Sequence, residues 1–474
     1  MKQNFKTINY DWLTRPTGDP FADAGGFAIE YLSEKFPDMD ILELIDFITK
    51  IYVDKWSGKL NSFFLNSKIT QPAFHGTKKI EETKKYFNSL VKETEPTEFG
   101  YCRITGIKTK LSFGGRDNSI MTGSGTLINF HHFFQKGIAM SKEVIIRIHF
   151  VPFACQQLQG KISLLQSSNA MLSKLFVTLT IEKNLHEIGI GLSKGVAKSE
   201  FNKPANAIFH FVDYSLSQLN DFRNRNLIPS LTLYHFTNFG ASPEIQLYQL
   251  PAKVFLFYKT CLQPKFKADW QNFIRSHYYD GQHKGANYNL KTEKFELIKS
   301  KKNEVFDFDE YKQWFNRIYN KLLLDENIRP EILRWSRKHP FNFEIVSIYQ
   351  QNIIGMKKET INKIKELAAF LVREEDTDKI KKRIKALDGA KNASGLRRFI
   401  LKDVVAVNYM EGNNKAIVSV NDYVNHLFPD GSYWAEIRDL LLIAIYQELH
   451  ERNLISEELK MELGADVETE NINN

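Results

Sequence analysis

Cysteine is nearly absent: Cys102, Cys155 and Cys261 are the only three in 474 residues. Their wide spacing excludes a disulfide framework and any C-x-x-C knuckle, and points to a reducing compartment. Long apolar runs are missing too. No stretch approaches the roughly 18 apolar residues of a membrane span, and the opening M-K-Q-N-F-K-T-I-N-Y has no apolar leader core. A cytoplasmic protein without a membrane partner is expected. The common catalytic signatures G-x-x-x-x-G-K-[ST], H-E-x-x-H and G-x-S-x-G do not occur. No catalytic residue, cofactor or resident metal is expected.

What is present is positive charge and aromatic rings. With 64 Lys+Arg against 56 Asp+Glu the formal charge is +8, which suits a polyanionic partner. Aromatics make up 13% of the chain, led by 36 Phe and 19 Tyr, enough for stacking surfaces as well as cores. The length exceeds what one hydrophobic core spans, so two or three domains are expected.

The stretch Thr17 to Ile29, T-G-D-P-F-A-D-A-G-G-F-A-I, runs from a tight turn into an apolar helical pattern. Gly18, Asp19 and Pro20 make the turn, and Asp23 is the expected cap of a helix starting at Ala24. Gly25 and Gly26 each cost a helix about 1 kcal/mol against alanine, so something must approach closely. Helix-on-strand packing is the favoured reading, with a nucleic-acid backbone as the other. Next comes an amphipathic helix from Ile41 to Tyr52 behind Asp38 or Asp40, then a polar one from Lys78 to Lys92.

From Tyr101 onward short glycine-rich segments alternate with basic and hydroxyl residues. Arg103, Lys108, Lys110 and Arg116 supply positive field, and Gly114, Gly115, Gly123 and Gly125 let backbone approach a phosphate. A nucleic-acid loop and an ordinary β-meander fit equally. Val144 to Phe153 reads as buried strand or buried helix. A strand at Lys161–Gln166, a helix at Ala170–Leu185 and a strand pair across Ser230–Pro251 complete an α+β body. Between His277 and Lys291, the residues Tyr278, Tyr279, His283 and Lys284 suit stacking and phosphate contact in a loop, or simply lie down on the body.

Beyond Phe306 helical periodicity takes over: Tyr311–Leu324, Glu331–Gln351, Lys357–Arg373, Asp378–Leu387, Gly395–Met410 and Tyr433–Arg452. The fold class is therefore α+β, an irregular mixed N-terminal body followed by an all-α helical bundle. The expected divisions are a body at 1–328, a bundle at 329–463 and a disordered acidic tail at 464–474. Lys381, Lys382, Arg383, Lys385, Arg397 and Arg398 crowd onto two of its helices, a density suited to tracking phosphates. A zinc site from Cys102, His131, His132 and Cys155 has the right atoms at the wrong spacing. Asp430 and Glu436, followed by Arg438, sketch a magnesium-dependent nuclease, but they precede and enter a helix and lack the expected lysine.

Taken together, T-G-D-P-F-A-D-A-G at 17–25, Y-C-R-I-T-G at 101–106, N-F-H-H-F-F at 129–134, the N-F-G of 238–240 and W-A-E-I-R-D-L-L-L-I-A-I-Y at 434–446 resemble the large subunit of a type I-B CRISPR surveillance complex, Cascade. Many members of that family carry a zinc ribbon. Here Cys102, Thr105 and Gly106 match its first element, while Met140 to Val144 offers no second cysteine pair, so no zinc is expected. The resemblance implies a non-enzymatic role: recognising the protospacer-adjacent motif (PAM), aiding R-loop formation and recruiting the helicase-nuclease. It implies as partners a guide RNA, target duplex DNA with its displaced strand, the backbone and guide-5′-end subunits, separate small subunits and that effector. Arg103, Lys108, Gly114, Gly115, Arg116 and Asn118 would face the motif, with Asn118 as base-edge reader. The C-terminal helices resemble the small subunit, and Met356 is a candidate internal start for a separate copy. A metal-dependent nuclease of a defence or mobile-element locus and a plain scaffold are the alternative classes.

Overall fold

The computed structural model describes residues 5–94, 97–122, 137–218, 228–238, 243–298, 303–374, 376–412, 415–429 and 433–455. The chain divides by compactness into two units, 1–252 and 253–474. A mixed α+β N-terminal region with several small antiparallel sheets gives way to a largely helical region after about residue 330.

In the first unit helix α1 (Pro20–Lys35) begins four residues earlier than the sequence suggests. Asp19, not Asp23, is its N-cap, accepting from the Ala22 amide at 2.7 Å with Pro20 in the first turn. Asp23 instead bends back to the turn, taking bonds from the Thr17 amide and hydroxyl and the Gly18 amide. Helix α2 (Ile41–Lys50) carries a full capping box between Asp40 and Glu43. Helix α3 (Thr77–Lys92) ends on Glu93 in the left-handed region, φ 54°.

Strands β1 (Glu98–Tyr101), β2 (Lys108–Gly114) and β3 (Ile138–Met140) form an antiparallel sheet in that order. The apolar run after it is a helix, α4 (Lys142–Phe150), capped by Ser141 and buried at every position including Arg147 and His149. Strands β4 (Gln156–Leu158), β5 (Lys161–Ser167), β6 (Leu231–Thr237) and β7 (Glu244–Leu250) build a second antiparallel sheet. Helices α5 (Ala170–Gly189) and α6 (Pro204–Gln218) intervene in sequence between β5 and β6.

The paired glycines of α1 are explained by α4. A Cβ on Gly25 would lie 2.0 Å from the Arg147 carbonyl oxygen, and one on Gly26 would strike the Arg147 guanidinium at 2.7 Å. The close approach is thus helix on helix rather than helix on strand. Arg147 is fully buried and donates to the carbonyls of Ala22, Trp12 and Arg15 and to Asp23 at 2.9 Å. Burial draws its pKa down, while the carboxylates of Asp23 and Asp19 oppose the shift.

In the second unit, α7 (Pro264–Ser276) leads into five very short strands. These are β8 (Tyr278–Tyr279), β9 (Asn287–Asn289), β10 (Lys294–Leu297), β11 (Glu304–Phe306) and β12 (Phe315–Asn316). The helix expected over Tyr311–Leu324 is interrupted because Phe315 and Asn316 pair with Tyr279 and Tyr278. Tyr278, Phe295, Tyr311 and Trp314 make one aromatic core there.

The helix expected over Glu331–Gln351 is two, α8 (Arg329–Ser336) and a shorter one at Phe343–Tyr349, parted around Pro340. Helices α9 (Lys358–Leu371), α10 (Thr377–Asp388), α11 (Ala393–Phe399) and α12 (Trp434–Glu451) follow the sequence pattern closely. A wider π-helical stretch, Ile400–Val405, carries α11 on to Met410. Helix α12 is the axis of this bundle, buried without interruption from Asp439 to Tyr446, with α8, α9, α10 and α11 packed on it.

Candidate nucleic-acid interface

The turn joining β1 to β2 is tight because Gly106 takes φ +71° and donates to the Cys102 carbonyl at 2.9 Å. The Cys102 amide donates to the Ile107 carbonyl at 2.9 Å, and the Thr105 amide points at Cys102 Sγ at 3.5 Å. This knuckle fixes the register, pairing Tyr101 with Lys108 and Phe99 with Lys110. Because side chains alternate along a strand, those four share one face.

That face is open to solvent. Phe99 and Tyr101 are 67% and 65% exposed, and Lys108 Nζ stands 5.7 Å and 6.0 Å from their ring centroids. Lys110 is held by Glu93, which also binds Lys142, so Lys108 and the exposed Arg103 are the available cations. Hydrogen bonds from both lysines keep the Glu93 carboxyl below its usual range although burial pushes it upward. Two presented rings flanked by cations can stack bases and neutralise phosphates.

Downstream of β2 the expected motif residues separate by role. Gly114 is buried, and a Cβ there would overlap the Met140 side chain at 1.8 Å. The buried Gly115 amide donates to Asn118 Oδ1 at 2.8 Å, and Asn118 Nδ2 donates to the Tyr86 hydroxyl at 3.0 Å. Both ends of that amide therefore shape the loop and neither offers a base edge a free site. Arg116 is half-buried, its carbonyl accepting from the Leu65 amide at 2.6 Å, and its side chain has no ion-pair partner among the described residues. Gly123, Gly125 and the 129–134 segment lie outside the described residues.

The basic residues of the bundle also split. On α10, Arg383 donates to the Leu371 carbonyl at 2.8 Å, closing the end of α9, and reaches Glu374 at 3.4 Å. Lys382 and Lys385 are exposed on the same helix, while Lys381 is half-buried. On α11, Arg397 lies over the Phe428 ring at 5.0 Å, and Arg398 is exposed.

In the 278–284 segment Tyr278 is a core residue, 4% exposed, and cannot stack on a ligand. His283 is held by Asp280 at 2.6 Å and stacks on Trp314. Tyr279, 49% exposed, and Lys284 remain at the surface.

For the nuclease alternative, Glu436 is bound by Arg329 at 2.9 Å, an arginine standing where a cation would, and Asp430 lies outside the described residues. Among the described residues no group of three His, Cys, Asp or Glu could hold a metal ion, and His131 and His132 fall outside them. No described helix is long and apolar enough to cross a membrane.

Residues 334–473 match the DevT C-terminal domain. DevT is linked to type I-B CRISPR Cascade-like systems, so the match supports a CRISPR-associated role. No curated protein matches the chain. The matched span contains α9 to α12 with Lys381, Lys382, Arg383, Lys385, Arg397 and Arg398, whereas the hairpin lies outside it. Phe99 and Tyr101 are the residues that sequence reasoning missed. Their signal was the period-two alternation of E-F-G-Y facing I-K-T-K across a glycine turn.

Proposed function

We propose that this chain is the large subunit of a type I-B CRISPR surveillance complex and acts without a catalytic step of its own. In this reading it recognises the PAM in duplex DNA, assists opening of the R-loop and recruits the helicase-nuclease. Guide pairing then reads the sequence, and the protein needs shape, phosphate and a few base contacts. The observation that carries the reading is the DevT C-terminal domain at 334–473. The presented Phe99, Tyr101 and Lys108 face supports it with a surface suited to bases leaving a duplex, with Arg103 and Arg116 as phosphate or base-edge contacts. Asn118, Gly114 and Gly115 become the frame that holds Arg116.

The partners would be a guide RNA, the backbone and guide-5′-end subunits, separate small subunits and the effector. The span 329–463 would act as a small-subunit-like domain along the displaced strand, with Lys382, Lys385 and Arg398 on phosphates. The test is duplex binding by the chain co-expressed with its neighbouring genes and a guide, using targets that differ only in the flanking motif. Motif-dependent binding is expected, lost in Arg103→Ala/Arg116→Ala with assembly intact. Binding that ignores both guide and motif would overturn the reading.

A further inference from the structure

The first unit holds a second feature away from the hairpin, a cleft of about 840 Å³ between the segment around Phe63, the β4–β5 pair and the loop at 192–198. Lys59, Lys194 and Lys198 line it, all exposed. No acid pairs with any of the three among the described residues, and Glu187 is the one carboxylate in the lining. A concave wall with an excess of one charge sign, here three lysines against Glu187, focuses potential and concentrates anions. Phe63, Ile162 and Leu192 give the same cleft an apolar wall; Phe63 and Ile162 are nearly fully buried, and Leu192, on the loop that carries Lys194 and Lys198, is 68% exposed despite its size.

The loop is built rather than collapsed. Trp56 Nε1 donates to Ser193 Oγ at 2.9 Å, and buried Asn184 accepts from the Ala197 amide at 2.9 Å while donating to the Phe153 carbonyl at 3.1 Å. Gln157 bonds the loop on both sides, donating to the Ala197 carbonyl at 2.9 Å and accepting from the Ser199 amide at 2.7 Å. Gly195, at φ +149°, faces open space, with nothing within 4 Å of a Cβ placed there. The backbone that carries Lys194 and Lys198 is thus fixed by buried groups, so the cations are presented in advance of any ligand.

We propose that this cleft binds a phosphorylated nucleoside. The lysines take the phosphate, the apolar wall takes the face of the base, and the Asn61 amide meets its edge. Three cations without an apolar wall would suit inorganic phosphate alone, and the wall without cations would suit a neutral ring. The combination selects both. The ligand is either a free nucleotide or one nucleotide of a strand. The proposal goes beyond the PAM reading and depends on none of its residues.

The test uses the purified full-length chain and titration calorimetry with AMP, UMP, adenosine, inorganic phosphate and a 5′-phosphorylated pentanucleotide. Expected is binding of AMP or UMP at least tenfold tighter than adenosine or phosphate, weakened at least tenfold in Lys194→Ala/Lys198→Ala and in Leu192→Asp. Binding of the pentanucleotide alone with the same dependence on both variants assigns the ligand to a strand and sustains the proposal. Unchanged binding in both variants, or no binding of any nucleotide probe, overturns it. All three residues are exposed, so melting curves equal to wild type are expected and keep the comparison clean. Loss of motif-dependent DNA binding with nucleotide binding intact would count only against the PAM reading.

Discussion

Each unit contains a buried arginine tie, and the two are built differently. Arg147 in the first unit has one carboxylate, Asp23, and three main-chain carbonyls, so its main effect is to fix the path of the chain from Trp12 through α1. Arg329 in the second unit has two carboxylates, Glu436 at 2.9 Å and Asp439 at 3.3 Å, and fastens α8 to α12. Asp439 is also held by Arg438 at 2.8 Å, and Glu436 is 26% exposed. The first tie has no substitute for its cation, whereas the second has both a spare arginine and solvent. Charge count in the sequence does not reveal this; the surroundings of the charge do.

Breaking the ties gives the largest effect. Arg147→Met should cost about 3–5 kcal/mol, because Asp23 stays buried without a cation and the carbonyls of Ala22 and Arg15 lose donors. Arg329→Met should cost about 1–3 kcal/mol, since Arg438 and water cover the acids left behind. Denaturant unfolding of the two variants checks the order, and equal losses would erase the distinction. Gly25→Ala belongs with the first class, because the clash is with backbone and cannot be relieved by a rotamer change.

A smaller effect is common to both units, since burial lowers the pKa of His149 in the first and of His277 in the second, and the larger shift is in the first. His149, buried on α4 with Nε2 3.0 Å from the Thr49 hydroxyl, has its pKa pushed down to about 3 by burial. The folded chain keeps this imidazole neutral while the unfolded chain takes up a proton near pH 6.5. Its contribution is therefore whole above pH 6.5 and declines as pH falls toward 3, by up to about 1.4 kcal/mol per pH unit. Denaturant midpoints of the wild type and His149→Gln between pH 7 and 4.5 should converge as the pH drops. Parallel curves would mean that the imidazole takes up its proton in the fold at the same pH as in the unfolded chain.

Caps and periods were legible in the sequence because they are local. Asp40 with Glu43 and the helices from Lys358 to Glu451 needed only neighbours three and four residues away. Asp19 and Asp23 both stand before good helix formers, and what separates them is Arg147, distant in sequence. Gly25 and Gly26 announced a close approach without naming the partner. Asn118 had the right chemistry for a base, yet Tyr86, 32 residues earlier, takes its amide. The presented rings at Phe99 and Tyr101 depend on strand register, which follows from the Gly106 turn rather than from composition.

The smallest effect tests the same division between structural and available charge within one helix. Lys382 and Arg383 are adjacent on α10, but Arg383 is 11% exposed and bonded to the end of α9, while Lys382 is exposed. With the full-length chain and single-stranded DNA, Lys382→Gln should lower the slope of log affinity against log salt by about 1 and leave the melting temperature unchanged. Arg383→Gln should do the reverse, lowering stability by about 1 kcal/mol through the lost Leu371 carbonyl bond, with the salt slope preserved. If Arg383→Gln flattened the slope as Lys382→Gln does, the guanidinium would have to leave Leu371 on binding, and the bundle would reorganise at α9 when it meets DNA. An unchanged slope in Lys382→Gln would move the phosphate path off this face of α10 and toward Arg398 on α11.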